Sequence, residues 1–203
     1  MIHSIARNDL KRLFRSPLSW TLLAVVTFLL AFLFLVFLEN FITQILPDNT
    51  GAKKPVGATA AIVTPLFSWS GIILLGILPL ITMRSLSTEY QNNTWQLLAA
   101  SAARPWQIIM AKYLANLSFL TVLVGIILLM QMSLYFGSRI DSGILFSSTL
   151  GLWLLLAATA AAGTYFSTLS TETGTAALFT FSLLLFLYVL QVSANMPGKT
   201  SPL

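Results

Sequence analysis

Residues 19–38 read SWTLLAVVTFLLAFLFLVFL, a run with no charge in it that stops at Glu39. About 20 apolar residues in a helix cross the hydrocarbon of a bilayer, and this run is that long. Four further runs of the same kind follow, at residues 65–83, 113–136, 144–167 and 175–193. They are apolar on every side, whereas the strands of a membrane barrel alternate apolar and polar with period two. The expected fold class is therefore an all-α polytopic membrane protein with five transmembrane helices.

Composition agrees. The 203 residues are 57% hydrophobic and only 8% charged, against about 25% charged in a soluble domain. Disorder is excluded, because it requires low hydrophobicity and high charge. With no cysteine and a single histidine, His3, there is no disulfide framework, no thiol nucleophile and little to build a transition-metal site. A secretory leader would explain only the first run. That run is too long for one, and four cations and Asp9 precede it, so it reads as a retained anchor.

All 17 charges fall outside the five runs. Carriers driven by protons or ions need ionisable groups at mid-membrane depth, and an intramembrane hydrolase needs a nucleophile with a base. A self-powered transporter and an intramembrane enzyme are both disfavoured. With the amino terminus in the cytoplasm, Arg7, Lys11, Arg12, Arg15, Arg84, Arg104 and Lys112 lie inside, and Lys53, Lys54, Arg139 and Lys199 lie outside. The excess of inside cations favours this orientation. The net charge of +5 then reflects anchoring and gives no support to nucleic-acid binding.

Between the runs, residues 39–64 and 137–143 read as external loops rich in turn formers, and 168–174 as a short cytoplasmic turn. Residues 1–17 are expected to form an amphipathic elbow helix in the plane of the membrane. At about 100° per residue, Ile2, Ile5, Ala6, Leu10 and Leu13 gather on one arc, opposite Arg7, Lys11, Arg12 and Arg15. Asp9 interrupts the apolar arc, and Ser16-Pro17 ends the helix. A plain cytoplasmic anchor would show a similar pattern. In the fourth run, Ala158, Ala162 and Gly163 are small residues spaced for close helix packing. In the second, Gly71, Gly76 and Pro79 permit bending.

The segment from 84 to 112 is not a plain linker. Thr94 is placed to cap a short helix through Trp95-Gln96-Leu97-Leu98, and after a break Pro105 opens another that leads into the third run. Trp95 and the leucines are available to enter a partner or to lie among lipid headgroups, where tryptophan is common. The stretch from Ser193 to Thr200 approaches a phosphate loop but lacks the first glycine, the preceding strand and the following helix. ATP hydrolysis would have to come from another chain.

Residues 82–115 carry a resemblance. Thr82-Met83-Arg84, Glu89, Asn93-Thr94-Trp95-Gln96-Leu97-Leu98, Trp106-Gln107-Ile108 and Lys112-Tyr113-Leu114 resemble the permease subunit of a type 2 ABC exporter. The nearest subgroup includes gliding-motility and copper-maturation permeases. A weaker block at Ser167-Thr168-Leu169-Ser170 fits the same family. Asn93 stands where the family has glycine, Gln96 where it has an acid, and Ala102 where it has proline. The family normally has six spans and this chain five, so the sixth is cut off, dispensable or supplied by another polypeptide.

The resemblance implies a single permease domain over 1–203, in a bacterial cytoplasmic (inner) membrane, with 84–112 as the coupling segment. Glu89, Thr94, Trp95, Gln96, Leu97 and Leu98 would contact an ABC ATPase subunit, present in two copies. Arg84, Lys112 and Tyr113 would mark the membrane boundary. A second permease, identical or not, would complete the route, with membrane lipid around it. No cofactor would bind this chain; ATP and magnesium would sit on the ATPase. The alternative is a non-transporting membrane scaffold for a soluble complex.

Overall fold

In hydrocarbon every backbone N–H and C=O must be satisfied within the segment itself, which leaves helices for runs like these. The computed structural model describes residues 2–45, 57–83, 105–137, 140–170 and 172–195, and no strand occurs among them. Among the described residues six α-helices stand out: α1 (Ile2–Arg15), α2 (Pro17–Asn40), α3 (Thr64–Thr82), α4 (Pro105–Met132), α5 (Ser142–Leu169) and α6 (Thr173–Asn195). The last five are long and apolar enough to cross a membrane.

Helix boundaries follow local chemistry. Arg12 and Arg15 occupy the last turn of α1, where cations complement the helix dipole. Ser16 then turns extended (φ −73°, ψ 126°) and Pro17 opens α2, using the position where a missing N–H costs nothing. Asp141 caps α5 by accepting from the Gly143 amide at 2.8 Å. Serine and threonine hydroxyls inside the spans fold back onto carbonyls of their own helices, as Ser70 does to Leu66 (2.7 Å) and Thr180 to Ala176 (2.8 Å). This hides polar atoms from the lipid.

The spans differ from their expected limits, and the differences lie mainly in the loops. Residues 39–64 are not loop throughout. α2 continues in wide helical turns over Phe41–Ile45, and α3 is preceded by similar turns over Thr59–Val63. Burial explains the second extension, since Ala58, Thr59, Ile62 and Val63 are all inside the bundle. The Thr59 hydroxyl also accepts from the Asp141 amide at 3.1 Å. The 137–143 turn is shorter than expected, because α5 begins at Ser142. α4 starts at Pro105, where the proline suits the first turn, and runs unbroken to Met132; a tighter helical turn over Ser133–Phe136 completes the third expected span. The 28 residues of α4 make a rod of about 42 Å, longer than the roughly 30 Å of hydrocarbon.

The core is shared by α2 through α5. Val26 and Leu30 share a cluster with Leu74 and Leu78, with Phe119, Leu120, Leu123, Val124 and Ile127, and with Leu152, Leu156 and Ala160. α5 packs against α3, α4 and α6, and α1 packs mainly on α4. α2 and α6 are peripheral, and most of their large side chains face outward.

Candidate functional site

α3 and its last turn are described as far as Met83, and α4 from Pro105. Arg84, Glu89, Thr94, Trp95, Gln96, Leu97 and Leu98 lie outside the described residues. Both places where that segment joins the bundle are described, and each is tied to a second helix.

At the first junction, α3 meets α5. Gly163 is buried, and a β-carbon added there would collide with Thr82, lying 2.7 Å from its Cβ. Glycine is therefore required by the close approach. Thr82 is itself fully buried and held by a hydrogen bond from its hydroxyl to the Leu78 carbonyl at 3.1 Å. One helical turn beyond Gly163, the Ser167 hydroxyl donates to the Met83 carbonyl at 3.2 Å. The last residue before the undescribed segment is thus bonded to a helix 84 positions away in sequence. Pro79 lies inside α3 and removes one rung of the helix ladder a turn earlier, a place where a helix bends.

At the second junction, α4 meets α1 and α5. Lys112 is only 6% exposed, and its Nζ lies 3.6 Å from Oδ2 of Asp9, itself 18% exposed. That oxygen makes no hydrogen bond, so the tie is an ion pair. Two turns further along α4, Phe119 packs on Phe14 of α1 with ring centroids 5.6 Å apart. Tyr113 donates its hydroxyl to the Ala157 carbonyl of α5 at 3.3 Å. α1 is also tied to the first span, because the Trp20 indole donates to the Phe14 carbonyl at 2.6 Å.

The sequence-derived residues fall out as follows. Gly163 is buried, Ala162 half-buried and Ala158 exposed. The inward small face of α5 is carried instead by Ala157, Ala160, Gly163 and Ser167. Lys112 is not at the surface of the bundle but buried within α4, seven residues after its start. A lone cation would be costly there, and Asp9 supplies the compensation. The sequence signal for that pair was present, since Asp9 stands on the otherwise apolar arc of α1. Reasoning from runs missed Gln131, an amide fully buried in α4 whose nitrogen and oxygen both lack partners. Asn116, one turn past Lys112, is also buried with its amide nitrogen unpaired.

Among the described residues no group of three His, Cys, Asp or Glu is placed to hold a metal. Met83, the last described residue before 84–104, is tied to α5 through Ser167, and α4, which follows that segment, is tied to α1 and α5 through Lys112 and Tyr113. A cleft of about 170 Å3 between α3 and α6, lined by Ile72, Gly76, Phe181 and Tyr188, is apolar and open to the outside of the bundle.

No curated protein and no solved structure matches the chain significantly. A family model described as ABC-2 family transporter protein matches residues 3–197. That covers all five candidate spans and both junctions, so the chain belongs to the ABC-2 family of membrane transporter proteins.

Proposed function

We propose that this chain is the permease subunit of an ABC exporter and that residues 84–104 couple it to a separate ATPase. The observation that carries the reading is the double tie of that segment. Ser167 holds the Met83 carbonyl at one end and Asp9 holds Lys112 at the other. A lever drives a bundle only if its ends are fixed to different helices, and two-state rearrangement of packed helices is how such motion spreads.

In this reading the amino terminus is cytoplasmic, in a bacterial inner membrane, and residues 1–203 form one permease domain. Glu89, Thr94, Trp95, Gln96, Leu97 and Leu98 contact the ATPase, which carries ATP and magnesium in two copies. A second permease, identical or related, closes the route for an exported substrate. The likeness to gliding-motility and copper-maturation permeases belongs to the same proposal.

Co-purification tests it. The wild-type chain is expected to capture an ABC ATPase from its native membrane. Trp95→Asp combined with Leu98→Asp is expected to abolish capture while leaving the melting temperature of the isolated chain unchanged. Capture that survives in the double variant overturns the coupling assignment, and absence of any ATPase with the wild-type chain overturns the partnership.

A further inference from the structure

α1 has a second face that the junction does not use. Arg7, Lys11, Arg12 and Arg15 are all exposed and spread over an arc of about 140° on the helix. None of the four makes an ion pair among the described residues. The one acid of α1, Asp9, is turned inward and taken up by Lys112. The outer face therefore carries four cations with no compensating charge on the helix.

The depth of that face is also set. Trp20, 58% exposed in the first turn of α2, ties its indole N–H to the Phe14 carbonyl in the last turn of α1. Exposed tryptophan at the end of a span marks the headgroup layer. Phe14 against Phe119, and Asp9 against Lys112, hold the inner side of α1 on α4. At 14 residues, α1 is about 21 Å long, too short to cross the bilayer. It is held beside the span with its four cations exposed, and with Trp20 in the headgroup layer those cations would stand within reach of lipid phosphates.

We infer that the outer face of α1 is a binding surface for the phosphates of anionic phospholipids. Arginine matches phosphate oxygens with paired N–H donors, and three of the four cations are arginines. The tie through Trp20 favours lipid over an acidic protein surface, which would first have to displace headgroups from the same depth. The inference rests on membrane insertion alone and not on the ATPase partnership.

The test uses the full chain in nanodiscs of phosphatidylcholine doped with spin-labelled phosphatidylglycerol or spin-labelled phosphatidylcholine. The wild-type chain is expected to select phosphatidylglycerol, by about fivefold for each cation engaged, and to lose most of that selectivity in high salt. A variant with Arg7, Lys11, Arg12 and Arg15 all changed to Gln is expected to show none, with an unchanged melting temperature in phosphatidylcholine. If that variant does not fold, the salt dependence of the wild-type chain decides alone. No selectivity in the wild-type chain, or equal selectivity in a folded variant, overturns the inference. So does a variant that keeps its lipid selectivity but loses ATPase capture, because the cations would then serve an acidic protein surface.

Discussion

The end of α3 at Met83 is joined to α5 by close packing and a neutral hydrogen bond, whereas the first half of α4 is joined to α1 by opposite charges and tilted rings. The difference matters because the two kinds of force have different ranges. Contact between Thr82 and Gly163 is dispersion and shape, which weaken steeply when a gap of even 1 Å opens. Attraction between Asp9 and Lys112 falls only as the inverse of distance. The first joint therefore locks α3 to α5 as one body. The second holds α1 on α4 by a charge pair as well as by ring packing, so part of its attraction persists over a wider gap. The two joints should therefore respond differently to substitution, one to volume and the other to charge.

The largest effect is expected at the packed joint. Gly163→Leu forces side-chain volume into Thr82, which its own hydrogen bond holds in place, and the variant should fail to purify as a folded chain. Gly163→Ala should cost about 2 kcal/mol, within the range for overpacking a tight core, read as a fall in melting temperature in detergent. Thr82→Ala added to it should recover only part, because the threonine Cβ at 2.7 Å remains. Gly163→Ala melting like the wild type would show that the joint is looser than described and dissolve the contrast.

Next comes the charged joint. Lys112→Met leaves the Asp9 carboxylate without its counter-charge, and removing one partner of a fully buried pair costs about 3–5 kcal/mol. Asp9 keeps 18% exposure, so about 2 kcal/mol is expected here. Asp9→Asn in the same chain should restore most of the loss, and the exchanged pair Asp9→Lys with Lys112→Asp should restore part. A packed joint would show no such rescue by charge. Failure of both double variants would mean that Lys112 is held chiefly by volume, as Thr82 is.

The neutral hydrogen bond ranks third. Ser167→Ala removes the donor to the Met83 carbonyl and should cost about 1 kcal/mol. Its use is that it weakens the first joint without changing its volume. If Gly163→Ala and Ser167→Ala together cost more than their sum, the two contacts act as one unit.

How much of this was legible in the sequence follows the same division. The five spans could be read from uncharged runs, because hydrocarbon thickness dictates their length. Their limits were short where burial carried a helix into polar residues, as at Thr59, whereas the helix that opens at Pro105 was read from the proline itself. Gly163 stood out by size, but its partner did not, since nothing in a linear reading brings residue 82 to residue 163. Ala158 and Ala162 were chosen on spacing four, and the buried face instead follows Ala160, Gly163 and Ser167. Small residues run too densely there for spacing to fix the phase. Asp9 was visible as a fault in the α1 pattern, yet finding Lys112 as its partner needed the fold. The six positions from Glu89 to Leu98 assigned to the ATPase rest on resemblance alone, because they lie outside the described residues.

The smallest change should sharpen the comparison most. Trp20→Phe keeps an exposed aromatic ring at the start of α2 but removes the indole bond to the Phe14 carbonyl. The loss in overall stability should be at most about 0.5 kcal/mol, the low end for one hydrogen bond at an exposed site. α1 is held by three ties, however: this bond, the ring contact of Phe14 with Phe119, and the Asp9–Lys112 pair. Releasing one of them should raise amide hydrogen exchange in α1 while leaving exchange at Thr82 and Met83 as before. Combined with Lys112→Met the effect on α1 should exceed the sum of the single changes, since both ties position the same helix. Combined with Ser167→Ala it should simply add, because that bond belongs to the other joint. Equal coupling to both joints would mean that α1, α3, α4 and α5 move as one block, and that the two ends of residues 84–104 are not mechanically distinct.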